Sequence, residues 1–338
     1  MLQLRREPFR LLFPLGALLA LLGVLPWLLF GTGLSRLWLG TYHALTMTQA
    51  FLVAIAAGFL GTMLPRRTGS APLSAAELLA LAVALIAIPV ALFRDRLALA
   101  EVAYLVAVAT LAQFALRRIG GAKRRVPSSF VHIPFALVAG TIGAALLLAA
   151  TRRAPSWTLA VGRALVEEGV LLPLVMALVP MLTPIILDGQ APGDEPRQAR
   201  LQAALGALFL GSFAVQATWP RLALGTRGLV LTVALFVVMT PLRRPRLPGL
   251  HRRVYQLALL LLPVGLLAAT LTPAYRVPLQ HLTFIGGLSL LVFAVGAHVT
   301  FMHTGRDALA RRRPWPIAVV AALTVAAALT RASAERVP

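Results

Sequence analysis

Six histidines carry most of the chemistry this sequence has to offer. Five of them, His43, His132, His281, His298 and His303, fall inside or at the ends of long apolar stretches. The sixth, His251, is followed by Arg252 and Arg253 and reads as a solvated residue of a basic loop. Imidazole titrates near neutral pH and is a ligand for iron and copper. An ionisable group beside hydrocarbon is costly, so each of the five is a candidate functional residue. The same holds for Glu167 and Glu168, one helical turn after Arg163. They read either as proton-relay carboxylates or, for Glu167, as an i,i+4 ion pair with Arg163.

Spacing sorts these histidines. His281 and His303 are 22 residues apart. At 100° per residue they share a helix face to within roughly 40°, but they lie about 33 Å apart along the axis. They cannot ligate one metal, and instead suit two sites, one near each membrane surface. Two histidines from different helices would suffice to hold one haem. No cysteine is present, which excludes disulfides, thiolate-ligated haem, iron–sulfur clusters and covalent haem attachment. There is no P-loop, dinucleotide fingerprint or H-x-x-x-H metalloprotease pattern, and no catalytic residue is assigned.

The elements that must position these side chains are membrane helices. Of 338 residues, 59% are hydrophobic and 13% charged, against about 45–50% and 25% in soluble domains. The apolar runs are continuous rather than alternating, which argues for helices over a barrel. They predict an all-α polytopic bundle of about eleven spans, at roughly 11–30, 43–64, 74–93, 98–116, 129–150, 160–187, 198–219, 223–241, 252–272, 278–303 and 315–331. One integral membrane domain, 1–338, is expected. The first run reads as a span rather than a cleaved signal, and the longest polar loop is 188–200. Pro173, Pro180 and Pro184 make the sixth span the most distorted.

The net charge of +21 comes from 32 basic and 11 acidic residues. The bases sit between apolar runs, as membrane topology demands, so nucleic acid is not the expected partner. A cytoplasmic N-terminus places 21 of the 32 bases inside, in accord with the positive-inside rule. His43 and His281 are then outer, and His132, His298 and His303 inner. Trp27, Trp38, Trp157 and Trp219 are expected as anchors at the outer interface and Trp315 at the inner one.

Three stretches resemble the NnrS family of haem- and copper-containing bacterial membrane proteins linked to nitric oxide. The first is 7-EPFRLLFPLGALLALLGVLPW-27, similar to an opening E-P-[FY]-R-x-[LF]-F. The second is 43-HALTM-47 with 58-GFLGTMLPRRTG-69, similar to H-A-H-x-M followed by G-F-L-x-T-x-x-P-x-x-T-G. The third is 281-HLTFIGGLSLLVFAVGAHVTFMHTGR-306, similar to H-x-L-T-x-G ending in G-H-T-G-R. The resemblance implies that His43, His281 and His303 match family histidines and serve as cofactor and metal ligands. His132 and His298 are further candidates. Leu45 stands where the family pattern has a second histidine, and His298 stands where an arginine is expected.

The resemblance implies b-type haem, with copper as a second metal, in a multi-pass protein of the bacterial inner (cytoplasmic) membrane. Such a protein would bind or respond to nitric oxide, turn it over as a haem-dependent oxidoreductase, or carry electrons. Its partners would be lipid, a diatomic ligand such as nitric oxide, and other membrane redox subunits. The loss of a histidine at Leu45 leaves an alternative, a cofactor-free scaffold or accessory subunit of a larger redox complex. A transporter is a third reading, supported by the proline-interrupted helices.

Overall fold

In a computed structural model, residues 2–37, 39–152, 154–190, 198–237 and 241–334 are described. Among them there is no strand. Among the described residues ten helices are long and apolar enough to cross a membrane. We number the spans in chain order: α1 Phe9–Gly31, α2 Gly40–Thr68, α3 Ala75–Phe93, α4 Leu97–Gly120, α5 Ser128–Ala150 and α6 Trp157–Asp188. They continue as α7 Ala199–Val215, α8 Pro220–Val237, α9 Leu250–Leu271, α10 Pro273–His303 and α11 Trp315–Ala332. The helix at the seventh expected span, α7, is shorter than the other ten. The polar loop at 188–200 is described only outside 191–197, and the expected end of the eighth span, like Trp38, lies outside the described residues. The chain is therefore an all-α, multi-pass membrane protein.

Hydrocarbon explains what this bundle leaves uncovered. Leu18, Leu21 and Leu28 of α1 are 59%, 68% and 61% exposed, and Leu323 of α11 is 65% exposed. Apolar faces of that extent suit contact with lipid or with another membrane protein. Trp157, Trp219 and Trp315 are exposed near helix ends, where amphipathic rings meet headgroups. Trp27 differs. Its ring stands edge-on to His43, with centroids 5.4 Å apart.

The chain forms two compact units, Met1–Val175 and Met176–Pro338. In the first, α1 packs on α2 and α3–α4–α5 pack in succession. Ser74 and Glu77 form a capping box at the start of α3. Arg118 of α4 ties this cap down, with Nη1 3.0 Å from Glu77 Oε1 and Nη2 donating to Pro72 O at 3.0 Å. The α6 helix is distorted where Leu165–Gly169 is π-helical, just ahead of Pro173. Pro173 has no N–H to give the carbonyl one turn earlier, whereas Pro180 and Pro184 sit within regular α-helix.

In the second unit α9 is the central element, packed against α8 and α10. Without a hydrophobic force between helices in lipid, close backbone approach depends on small residues. At Gly265 a β-carbon would meet the Thr283 backbone nitrogen at 2.6 Å and the Leu279 carbonyl oxygen at 3.0 Å. Backbone atoms cannot swing aside, so Gly265→Ala is expected to destabilise the detergent-solubilised protein by about 3 kcal/mol. Gly31→Ala, with nothing within 4 Å of the added carbon, should shift stability by less than about 0.5 kcal/mol. Thermal unfolding of the two variants side by side checks this, and equal midpoints would refute the close α9–α10 packing.

Candidate functional site

His43, His281 and His303 share one arrangement. His43 Nδ1 lies 2.9 Å from the Gly23 carbonyl oxygen, His281 Nδ1 2.7 Å from that of Val277, and His303 Nδ1 2.9 Å from that of Val299. A carbonyl oxygen only accepts, so in each case the proton is on Nδ1. The neutral ring then carries its lone pair on Nε2, the tautomer that ligates a metal through Nε2. For His281 and His303 the acceptor is the carbonyl four residues back, which helical geometry supplies at any position. For His43 it belongs to another helix. Gly23 makes that reach feasible, because a β-carbon there would meet Met47 Sδ at 2.8 Å and hold α2 away from α1.

Two of these histidines sit within three residues of a π-helical turn. Thr46–Leu52 follows His43 and Leu282–Ser289 follows His281. Such turns are rare and gather at functional sites. They also correct a sequence expectation. A π-turn advances by less than 100° per residue, so His281 and His303 do not keep the angular relation computed for a uniform α-helix. Their separation along α10 stands, and the structure does not bring them together. His43 and His132 belong to the first unit and begin α2 and α5. Successive spans joined by short connections run antiparallel, so these two lie near opposite ends of that unit.

His132 is fully buried, and its ring centroid is 6.4 Å from that of Phe135. Glu167 pairs with Arg163, whose Nε donates to Oε1 at 3.0 Å. Glu168 is buried in the π-turn Leu165–Gly169. His298, buried in α10, meets a partner that the sequence reading misplaced. His251 is not a solvated loop residue: α9 has already begun at Leu250, and the ring is 1% exposed. Its Nε2 lies 3.3 Å from His298 Nδ1. Among the described residues no group of three His, Asp or Glu side chains converges to hold a metal ion.

Other buried polar residues escaped the sequence reading. Glu101, within α4, is completely buried, and Gln49 Nε2 donates to both of its carboxylate oxygens, at 3.1 and 3.0 Å. Gln49 Oε1 and Tyr104 Oη are buried near this pair in sequence, without hydrogen-bond partners among the described residues. Arg227 of α8 is completely buried. It donates through Nη2 to Gln216 Oε1 at 2.7 Å, with its guanidinium 4.4 Å from the Phe213 ring centroid. A single charged residue within an apolar run was the available signal in both cases.

These features define a polytopic helical membrane protein in which three half-buried imidazoles carry their proton on Nδ1. The NnrS protein family model matches residues 3–338, and the chain belongs to the NnrS family. Comparison with curated proteins and with solved structures finds no match.

The Gln49–Glu101 pair makes a quantitative test. Removing one member strands the other in a dry interior, whereas removing both leaves apolar packing. Gln49→Leu should cost more stability than Gln49→Leu with Glu101→Leu, with a coupling of about 2 kcal/mol in a double-mutant cycle. Additive losses would show that the two side chains do not support each other.

Proposed function

We propose that this protein is a haem-binding membrane protein of the bacterial cytoplasmic membrane, with its N-terminus in the cytoplasm, that binds nitric oxide or carries electrons. His43, His281 and His303 are its iron-ligand positions. The observation that carries this reading is the shared hydrogen bond from Nδ1–H to a backbone carbonyl. A ligating imidazole needs a lone pair on one nitrogen and a fixed ring orientation, and a carbonyl partner on the other nitrogen supplies both. The donor set therefore suits haem. Haem iron, when bound, offers a coordination position to a diatomic ligand, or a redox couple when both axial positions are filled by protein.

The chain's own residues do the rest. Gly23 lets α2 close on α1 so that His43 is oriented from a neighbouring helix, and the Trp27 ring stands edge-on against that imidazole. His132 and His298 are secondary ligand candidates, with copper as a second metal. Glu167, which pairs with Arg163, and Glu168, buried in the π-turn of α6, are the proton-relay candidates. Lipid is the surrounding partner, and other membrane redox subunits are the electron-transfer partners.

One observation favours a second reading. Leu45, where the family pattern has histidine, is 1% exposed and offers no donor atom. A protein without that ligand suits a cofactor-free scaffold in a membrane redox complex. A reduced-minus-oxidised optical spectrum of purified protein expressed with haem available, followed by nitric oxide, separates the two. We expect a haem signal, and alanine at the responsible histidine should lower haem per chain at least about tenfold. A shift of the signal with nitric oxide indicates an open position, and an unresponsive one indicates electron transfer. Absence of haem would overturn the haem reading and leave the scaffold.

A further inference from the structure

Two stretches singled out in the sequence, 7-EPFR-10 and 66-RRTG-69, have no part in the histidine chemistry, yet the fold brings them together at the start of α1. Glu7 joins them. Arg10 Nε donates to its Oε2 at 2.6 Å, and Arg66 Nη2, 59 residues along the chain, donates to its Oε1 at 2.8 Å. Beside them lies a cavity of about 610 Å³ whose lining includes Gln3, Arg6, Glu7, Arg10, Arg66 and Ser70. Small-molecule sites occupy roughly 300–1,000 Å³, so the cavity is of ligand size.

Close packing frames this place. At Gly61 of α2 a β-carbon would meet Leu73 Cδ1 at 2.6 Å and Pro8 Cγ at 2.8 Å, so glycine lets the segment ahead of α1 and the loop ahead of α3 both close on α2. Arg5 ties the short helix Leu2–Arg6 to the same loop, its Nε donating to Leu73 O at 3.0 Å. The whole lining belongs to the first unit.

The charges are layered. The Glu7 side chain is 16% exposed, against 34% for Arg10 and 52% for Arg66, and Arg6 is exposed beside them. An anion that enters the cavity therefore meets guanidinium before carboxylate. A guanidinium carries five N–H donors in a planar fork, so one that donates to Glu7 still has N–H groups to offer a phosphate. The carboxylate also fixes the direction of two long side chains, which lowers the entropy cost of gathering them on a ligand. The rule that bases flank the inner ends of spans asks for charge alone. It requires neither a cavity nor a carboxylate that joins two helices.

Headgroups lie where a span begins, and basic pockets between membrane helices suit anionic ones. Leu2 and Leu11, adjacent in sequence to the lining arginines, are exposed and give an apolar flank for acyl chains. We propose that this cavity binds the phosphate of an anionic phospholipid headgroup, with Arg6, Arg10 and Arg66 as its donors. The site requires neither haem nor a particular sidedness, only that α1 begins at a membrane surface.

The test is native mass spectrometry of the detergent-purified full chain after exposure to mixed micelles of phosphatidylglycerol and phosphatidylcholine in equal amounts. The wild type should retain phosphatidylglycerol in preference, because the choline cation is repelled by the same guanidiniums. Arg6→Gln combined with Arg66→Gln should lower that retention at least about tenfold. Arg244→Gln combined with Arg246→Gln, which removes the same charge from exposed positions of another basic loop, should leave it unchanged. Equal losses in the two double variants would reveal attraction by net charge alone and overturn the site, as would equal retention of the two lipids by the wild type. Should the Arg6 and Arg66 variant fail to fold, Gln3→Glu decides: it adds a negative charge at an exposed lining position and should release phosphatidylglycerol, and undiminished retention overturns the site. Calorimetric titration with inorganic phosphate distinguishes the source. Phosphate bound by a wild type that shows no preference for phosphatidylglycerol would assign the cavity to a soluble anion and overturn the lipid.

Discussion

Hydrocarbon offers no hydrogen bonds, so every polar group in a span must find its partner within the protein. That constraint shapes nearly everything observed here. The threonines obey it locally. Thr48, Thr62, Thr183, Thr232 and Thr270 each donate Oγ1–H to the carbonyl four residues back. His281 and His303 use the same acceptor through Nδ1. For threonine the result is only satisfaction of a hydroxyl. For histidine it also places the remaining lone pair on Nε2. The same rule of membrane folding thus also fixes the rotamer and tautomer of these rings.

Charged side chains divide according to the partner they find. Glu77 meets the guanidinium of Arg118 at the start of α3, where the helix dipole also favours a carboxylate. Glu101, although completely buried, is met by an amide, that of Gln49. Arg227 has an amide, a hydroxyl and an aromatic face. The first arrangement resembles structural pinning. The other two hold ionisable groups in dry surroundings through polar and aromatic neighbours. The first unit therefore has more polar chemistry inside it than its histidines alone suggest.

The helical architecture was legible in the sequence because span length and hydropathy are set by bilayer thickness. Positions of side chains relative to one another were less so. His251 was misread because Arg252 and Arg253 follow it, and a basic run looks like a loop. In the structure Gly249 turns the chain one residue before α9 begins, and that geometry buries the histidine. Glu101 and Gln49 are 52 residues apart, and nothing in one sequence pairs them. The π-turns after His43 and His281 have no compositional marker, yet they change which faces of α2 and α10 those side chains share. Short-range chemistry could be read, and long-range pairing could not.

Two departures from the family pattern meet different fates in the fold. Leu45 is buried and has no donor atom, so this side chain can ligate nothing. His298 adds an imidazole where an arginine is expected, but its facing nitrogen is already committed to His251. It is therefore not a spare ligand standing in for the missing one. An arginine at that place would bring a second guanidinium toward Arg252, which already reaches back to the Pro248 and Ile186 carbonyls. A neutral imidazole avoids that repulsion and offers His251 a ring nitrogen that can accept as well as donate. The substitution and the partner make sense together: replacing a cation by histidine turns a site of like charges into a pair of facing nitrogen donors.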